Sequence, residues 1–226
     1  MPKSQRTTNS RHVFATRDAF VHYLVTSVIC RGYWFYITGR IPEGKDPAAI
    51  DQKLIAKYDA GISKSARWRR KKLAKANIRY VRWNHQFLLF ATKGEHSFFR
   101  QESGIKDIRK IPLKVGGYSL SFRRDGRPDA LQDRPYRVHV RIEQQEFNSL
   151  LAEFDCEALR RSTEHLVDRL YKLPYLGYAP VRRQLCLLLR RVNARRRVAG
   201  RPFIPKACLF FHRVGACNPS THDSER

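Results

Sequence analysis

SKSARWRRKKLAKANIRYVRWNHQFLLFATKGEHSFFRQE, residues 63–102, is the stretch on which the reading of this chain turns. Its first part, 63–75, carries seven basic residues (Lys64, Arg67, Arg69, Arg70, Lys71, Lys72 and Lys75) and no carboxylate. Nothing local neutralises the field of the helix it predicts. Segments 78–83 and 87–91 are rich in aromatic and aliphatic residues and read as two short strands. Asn84-His85 between them predicts a tight hairpin, because Asn tolerates the positive φ such a turn needs. The hairpin anchors the charge to a core. The loop 92–102 then sets His96 among Lys93, Phe98, Phe99, Arg100 and Glu102.

On the N-terminal side, Thr16 predicts the cap of a helix that ends at Gly32, with Phe20, Leu24, Ser27 and Val28 inward. The run 33–40 (YWFYITGR) predicts a strand. Alternate members of a strand face opposite ways, so two of Tyr33, Trp34, Phe35 and Tyr36 are expected off the core face. Asp46-Pro47 predicts the cap and first residue of a helix to about Tyr58. Residues 1–15 read as a flexible basic arm able to follow phosphates, and they lack the apolar core of a secretory signal.

On the C-terminal side, 111–123 predicts a strand interrupted by a bulge at Gly116-Gly117, and 125–135 a polar loop. The alternation of YRVHVRI over 136–142 predicts a strand whose wet face is Arg137, His139 and Arg141. Segments 143–154 and 157–173 predict acidic helices facing away from the ligand, 180–199 a second basic helix, and 206–214 a last strand before a polar tail, 215–226. Strands and helices come in blocks. The expected class is therefore α+β, a mainly antiparallel sheet of about five or six strands with helices packed on one face, two of them strongly basic. The expected organisation is a single domain over 16–214.

The chain has 226 residues, 42% of them hydrophobic, which is enough for a core, and a net charge of +25. With a pI near 10.5, the partner best able to neutralise that surface is a polyanion, and nucleic acid leads. No apolar run approaches the length of a spanning helix, so membrane insertion is not expected. Five cysteines, an odd number without a Cys-x-x-Cys, fit a reducing compartment, and the expected location is cytoplasmic.

Helix 180–199 places Val181, Leu185, Leu188 and Val192 on one stripe and Arg183, Arg190 and Arg197 on another. Seven arginines there, with no acid among them, predict a phosphate contact rather than a solvated face. Lys64, Arg67, Arg69, Arg70, Lys71 and Lys72 predict another, in which Trp68 either stacks on a base or anchors the helix beside Leu73. His96 is the candidate catalytic residue, a general acid or base for metal-free RNA cleavage with Lys93 and Arg100 stabilising charge on phosphorus; its bland reading is a hydrogen-bonded structural histidine. His85 and His139 are fallbacks. Cys208, His212, Cys217 and His222 have zinc-ligand residue types, but their spacing matches no known module and buried Cys is the alternative.

The expected function is nucleic-acid binding, RNA ahead of DNA, through basic helices 63–75 and 180–200. One alternative is a metal-independent endonuclease acting on RNA. Another is a DNA-nicking or replication-initiation protein of a mobile element, using a late tyrosine (Tyr171, Tyr175 or Tyr178). The order of elements resembles that of rolling-circle initiators, yet their metal-binding pair of histidines one residue apart is absent. The third alternative is a structural ribonucleoprotein component with protein partners. No phosphate-binding or dinucleotide-binding glycine motif occurs, and no cofactor is expected.

Overall fold

The computed structural model describes residues 12–124 and 136–211. The class is α+β, with a five-stranded mixed sheet and a three-stranded antiparallel one. Where the sequence reading treats 16–214 as one domain, the chain gathers into two compact units: among the described residues, 12–112, 122–124 and 136–138 form the first, and 113–121 and 139–211 the second. No helix among the described residues is long and apolar enough to cross a membrane.

The first unit is built on the sheet β1-β3-β4-β2-β5, whose strands are β1 (Val13–Phe14), β2 (Phe35–Arg40), β3 (Ile78–Trp83), β4 (Gln86–Ala91) and β5 (Lys106–Asp107). The β3–β4 hairpin turns at Asn84, whose φ of 51° is the left-handed conformation its sequence predicts. Residues 12–15 are not a loose arm. Val13 and Phe14 pair in parallel with Arg82 and Trp83, because Phe14, only 2% exposed, gains a core by packing on Phe20 and Tyr23.

Helix α1 (Arg17–Tyr23) is capped by Thr16, whose hydroxyl accepts from the Ala19 amide, and it continues through a π turn and a 3-10 turn to Gly32. Helix α2 (Pro47–Lys57) starts on the Asp46 carboxylate, which accepts from the amides of Ala48 and Ala49. Neighbouring residues of β3 show where these helices stand. Arg79 donates to the Tyr23 hydroxyl and the Ser27 carbonyl beyond α1, whereas Tyr80 and Arg82 both reach Asp51 of α2. Since successive strand residues point to opposite faces, helices cover both faces of this sheet, where the sequence reading expects one. On the α2 side the core is Tyr58, Ala60, Ile78, Tyr80, Leu89, Ala91 and Phe98. Burying one large side chain of this kind contributes about 1.5–3 kcal/mol.

Strands β6 (Leu113–Val115) and β7 (Tyr118–Arg124) form a hairpin, not one bulged strand, because Gly116 and Gly117 both have positive φ and so reverse the chain. Strand β8 (Tyr136–Ile142) completes the second sheet. In the second unit, α5 (Gln144–Arg160) runs past the break expected near residue 155 and α6 (Thr163–Tyr171) starts after Ser162, whose hydroxyl accepts from His165. Asp155 stays helical because Arg191 of α7 (Ala179–Val198) takes its carboxylate with two hydrogen bonds from Nε, at 3.0 and 2.8 Å. That acidic helix therefore packs against a basic one. The strand expected over 206–214 is instead a 3-10 turn, Lys206–Cys208, followed by irregular chain to residue 211. Upstream of it, Asn193 of α7 satisfies both backbone groups of Ile204, at 2.9 Å each, as a neighbouring strand would. The loop 125–135 and the tail 215–226 lie outside the described residues, as do residues 1–11 of the arm.

Candidate nucleic-acid interface

Helix α3 (Lys64–Lys72) has six Lys or Arg among its nine residues and buries none of them. Three features keep it helical. The Ser63 hydroxyl caps it by accepting from Ala66 at 3.2 Å, and four of the cations fall in its last turn, against the negative end of the helix dipole. Two arginines and one asparagine tether it: Arg67 donates to the Ile62 carbonyl at 2.7 Å, Arg70 to the Asp59 carboxylate at 2.9 Å, and Asn77 to the Arg67 carbonyl at 3.1 Å. Lys64, Arg69, Lys71 and Lys72 are left exposed. Trp68 (58% exposed) and Leu73 (68%) lie in solvent, so neither is a core anchor. The Lys72 ammonium sits 4.0 Å from the Trp68 ring centre, a cation–π contact.

The histidine loop is pinned to the end of α3. Ala76 donates to the Glu95 carbonyl at 3.0 Å and Glu95 to the Ala74 carbonyl at 3.1 Å, a single parallel bridge. Gly94 permits this approach: at φ +137°, a Cβ would stand 2.5 Å from the Ala74 oxygen and 2.6 Å from the Ala76 nitrogen. The result is a cleft of about 940 Å³ lined by Arg69, Arg70, Lys75, Lys93, His96 and Arg100, with Phe35 and Phe99 as its apolar part. All three candidate catalytic residues share it. Its five Lys and Arg side chains face only two carboxylates, Asp59 and Glu95, and Arg70 already holds Asp59.

His96 is half-buried at the start of the short helix α4 (Phe98–Gln101), and its Nδ1 accepts from the Phe98 amide at 3.1 Å. An imidazolium would carry a proton on Nδ1 and lose that bond, so the neutral ring with its proton on Nε2 is the form that fits. Burial lowers the pKa first and the Arg70 cation adds to it, against a smaller opposing pull from Asp59. In this form the ring is a hydrogen-bond donor. On the other side of α4, Glu102 accepts from Tyr58 and Lys57, which fixes the end of the loop.

In the second unit, Val181, Leu185, Leu188 and Val192 of α7 are buried, and Arg183, Arg190 and Arg197 are exposed with no carboxylate among the described residues paired to them. The other arginines are engaged, contrary to the expectation that none has an acid. Arg191 holds Asp155, and Arg195 donates to the Asp155 carbonyl at 3.1 Å. Arg182 lies 6.0 Å from the Phe211 ring centre. Arg196, 1% exposed, donates to the carbonyls of Pro202, Ala158 and Arg161 and to the Thr163 hydroxyl. Arg190 and Arg197 also line a groove of about 850 Å³ with Leu189, Arg201, Phe203 and Lys206. On β8, Arg141 is exposed, whereas Arg137 and His139 are half-buried, so the wet basic face is narrower than its alternation predicts.

Cys208 is buried, which pushes its thiol pKa up, and His212, Cys217 and His222 lie outside the described residues. Among the described residues no group of three His, Cys, Asp or Glu side chains could hold a metal ion. His85 is exposed in the hairpin turn. Of the late tyrosines, Tyr171 is exposed beside Phe210, and Tyr175 is buried edge-on against Tyr118.

One arrangement escapes the sequence reading. The Arg109 guanidinium lies 4.4 Å from the Trp34 ring centre, Trp34 stacks on Phe122 at 5.6 Å, and Phe122 stacks on Tyr136 at 5.7 Å. Its one legible signal is the YWFY run, from which Tyr33 and Tyr36 are buried while Trp34 and Phe35 are only half-buried. Comparison of the chain with protein-family models, with curated proteins and with solved structures finds no match.

Proposed function

We propose that this chain is a cytoplasmic nucleic-acid-binding protein, taking RNA ahead of DNA, and that α3 and the cleft beside it grip the phosphate backbone. The observation that carries this reading is α3 itself: a capped helix that buries no residue and holds four exposed cations without a partner carboxylate among the described residues. Such a surface is stable in water but gains most from a polyanion, which releases counterions as it binds. Arg183, Arg190 and Arg197 offer the second unit's own basic surface.

The test is the salt dependence of affinity for a labelled single strand, measured by anisotropy. Each phosphate contact to a single strand contributes about 0.7 to the slope of log affinity against log salt. Replacing Lys64, Arg69, Lys71 and Lys72 together with Gln should therefore flatten the slope by roughly 3. Affinity that ignores salt in the parent protein, or a slope untouched by the four changes, removes the proposal.

The ribonuclease alternative draws on the same cleft. The hydrogen bond at Nδ1 favours His96 as a donor to a phosphate oxygen over His96 as a proton carrier, with Lys93 and Arg100 supplying charge. RNA scission by the purified protein that persists in chelator and disappears in His96→Ala would reverse that preference.

A further inference from the structure

We infer that the column Arg109, Trp34, Phe122, Tyr136 is a platform for an unpaired nucleobase, which adds to the exposed ring of Tyr136. The inference rests on the nucleic-acid reading and narrows it to single strands. Three segments are brought into register to build the column: Ile108 donates to the Trp34 carbonyl at 2.9 Å, and Phe122 to the Ile108 carbonyl at 3.5 Å. Asp107 holds the guanidinium of Arg109 with two parallel bonds, Nε at 2.9 Å and the terminal nitrogen at 2.7 Å. That plane therefore stays fixed over Trp34.

The rings are close to parallel, 29° between Trp34 and Phe122 and 19° between Phe122 and Tyr136. A column that served only to cover the sheet would end on a covered ring. This one ends on Tyr136, 51% exposed, with Phe122 on one face. An exposed tyrosine ring is a flat π surface of the kind on which any base can stack. Cations for the adjoining phosphates are at hand: Arg124 shares the face of β7 that carries Phe122, and Lys106 and Lys110 are exposed beside Arg109 in sequence. Aromatic surface and basic charge together select a strand whose bases are free; a duplex hides its base faces in the stack.

Wild-type protein is titrated with oligouridylate, with oligothymidylate and with an abasic strand of equal phosphate number. A stacked base should make one or both base-bearing strands bind about 5- to 150-fold tighter than the abasic one, and the two identify RNA or DNA as the source. Tyr136→Ala should abolish most of that advantage and leave abasic binding unchanged, while Tyr136→Phe keeps it. Tyr136→Leu, which still covers Phe122, should behave as Tyr136→Ala and guards against a loss that is merely structural. Equal binding of base-bearing and abasic strands, or equal weakening of both by Tyr136→Leu, overturns the inference and leaves the phosphate-grip reading standing. Binding of none of the three strands overturns both.

Discussion

Gly94→Ala tests whether the cleft is held by one close backbone approach. A Cβ at Gly94 would lie 2.5 Å from the Ala74 oxygen, 2.6 Å from the Ala76 nitrogen and 2.7 Å from the Lys75 carbonyl carbon. All three are backbone atoms, so no rotamer relieves the overlap. Reaching ordinary contact near 3.4 Å requires the loop to retreat by about 0.9 Å. That movement carries the two bridging hydrogen bonds, 3.0 and 3.1 Å, out of range. Losing them costs about 1–3 kcal/mol together, and an alanine at φ +137° adds roughly 1–3 kcal/mol of strain. The expected penalty is about 2–6 kcal/mol. Urea unfolding reads it if the first unit unfolds as a whole, and exchange of the Ala76 and Glu95 amides reads it if the loop detaches alone. Lys93 and His96 move with the loop, so affinity for a single strand should fall as well. An unchanged unfolding midpoint together with unchanged protection of both amides would show that the cleft does not depend on this approach.

The arginines of α7 should separate into two groups. Arg196→Met deprives three carbonyls and a hydroxyl of their buried donor and should cost about 3 kcal/mol or more in unfolding free energy. Arg183, Arg190 and Arg197 changed together to Gln should leave the melting temperature in place and weaken binding alike for all sequences; a matching loss of stability would make that stripe structural. Acid should weaken the fold through histidine. His12, His22 and His96 all titrate below the ordinary 6.5, with burial the first cause in each. The unfolded chain then takes up protons that the folded chain refuses, so their contribution is complete above pH 6.5 and is lost as pH falls below it. Asp107 and Glu143, held below the usual carboxylate range by Arg109 and Lys114, lose their contributions only at lower pH. Melting temperatures that rise on acidification from neutral pH would contradict this.

Signals that lie within a few residues were legible. Thr16 and Asp46 each cap the helix their sequences predict, and Asn84 turns the hairpin, because capping and turn chemistry need only neighbours. What failed was set by distant partners. Asp155 looks like a place for a helix to end, yet Arg191, 36 residues away, holds it inside α5. Val13 and Phe14 belong to a basic segment by composition and to a sheet by pairing with Arg82 and Trp83. The cleft mixes the two cases. Lys93, His96 and Arg100 are visible as candidates in one loop, but their meeting with Arg69 and Lys75 depends on the Ala74–Ala76 approach that Gly94 allows.

Counting charges in sequence therefore overstates an interface, by an amount that differs between the two basic helices. In α7, Arg191, Arg195 and Arg196 are committed to Asp155, to carbonyls and to a hydroxyl, and offering them to a phosphate would strip those groups of their donors. In α3 only Arg67 and Arg70 are committed, and both bonds fasten the helix rather than neutralise its outer face. The remaining four cations repel one another through solvent, where salt screens them over about 8 Å at physiological strength. Within a helix of nine residues that repulsion is not screened away, and among the described residues the one carboxylate paired to α3 is Asp59, held by Arg70. A phosphate backbone bound at α3 would offset the repulsion that the fold leaves in place, whereas on α7 only Arg183, Arg190 and Arg197 would be open to it, Arg191, Arg195 and Arg196 being held by bonds the fold has already made.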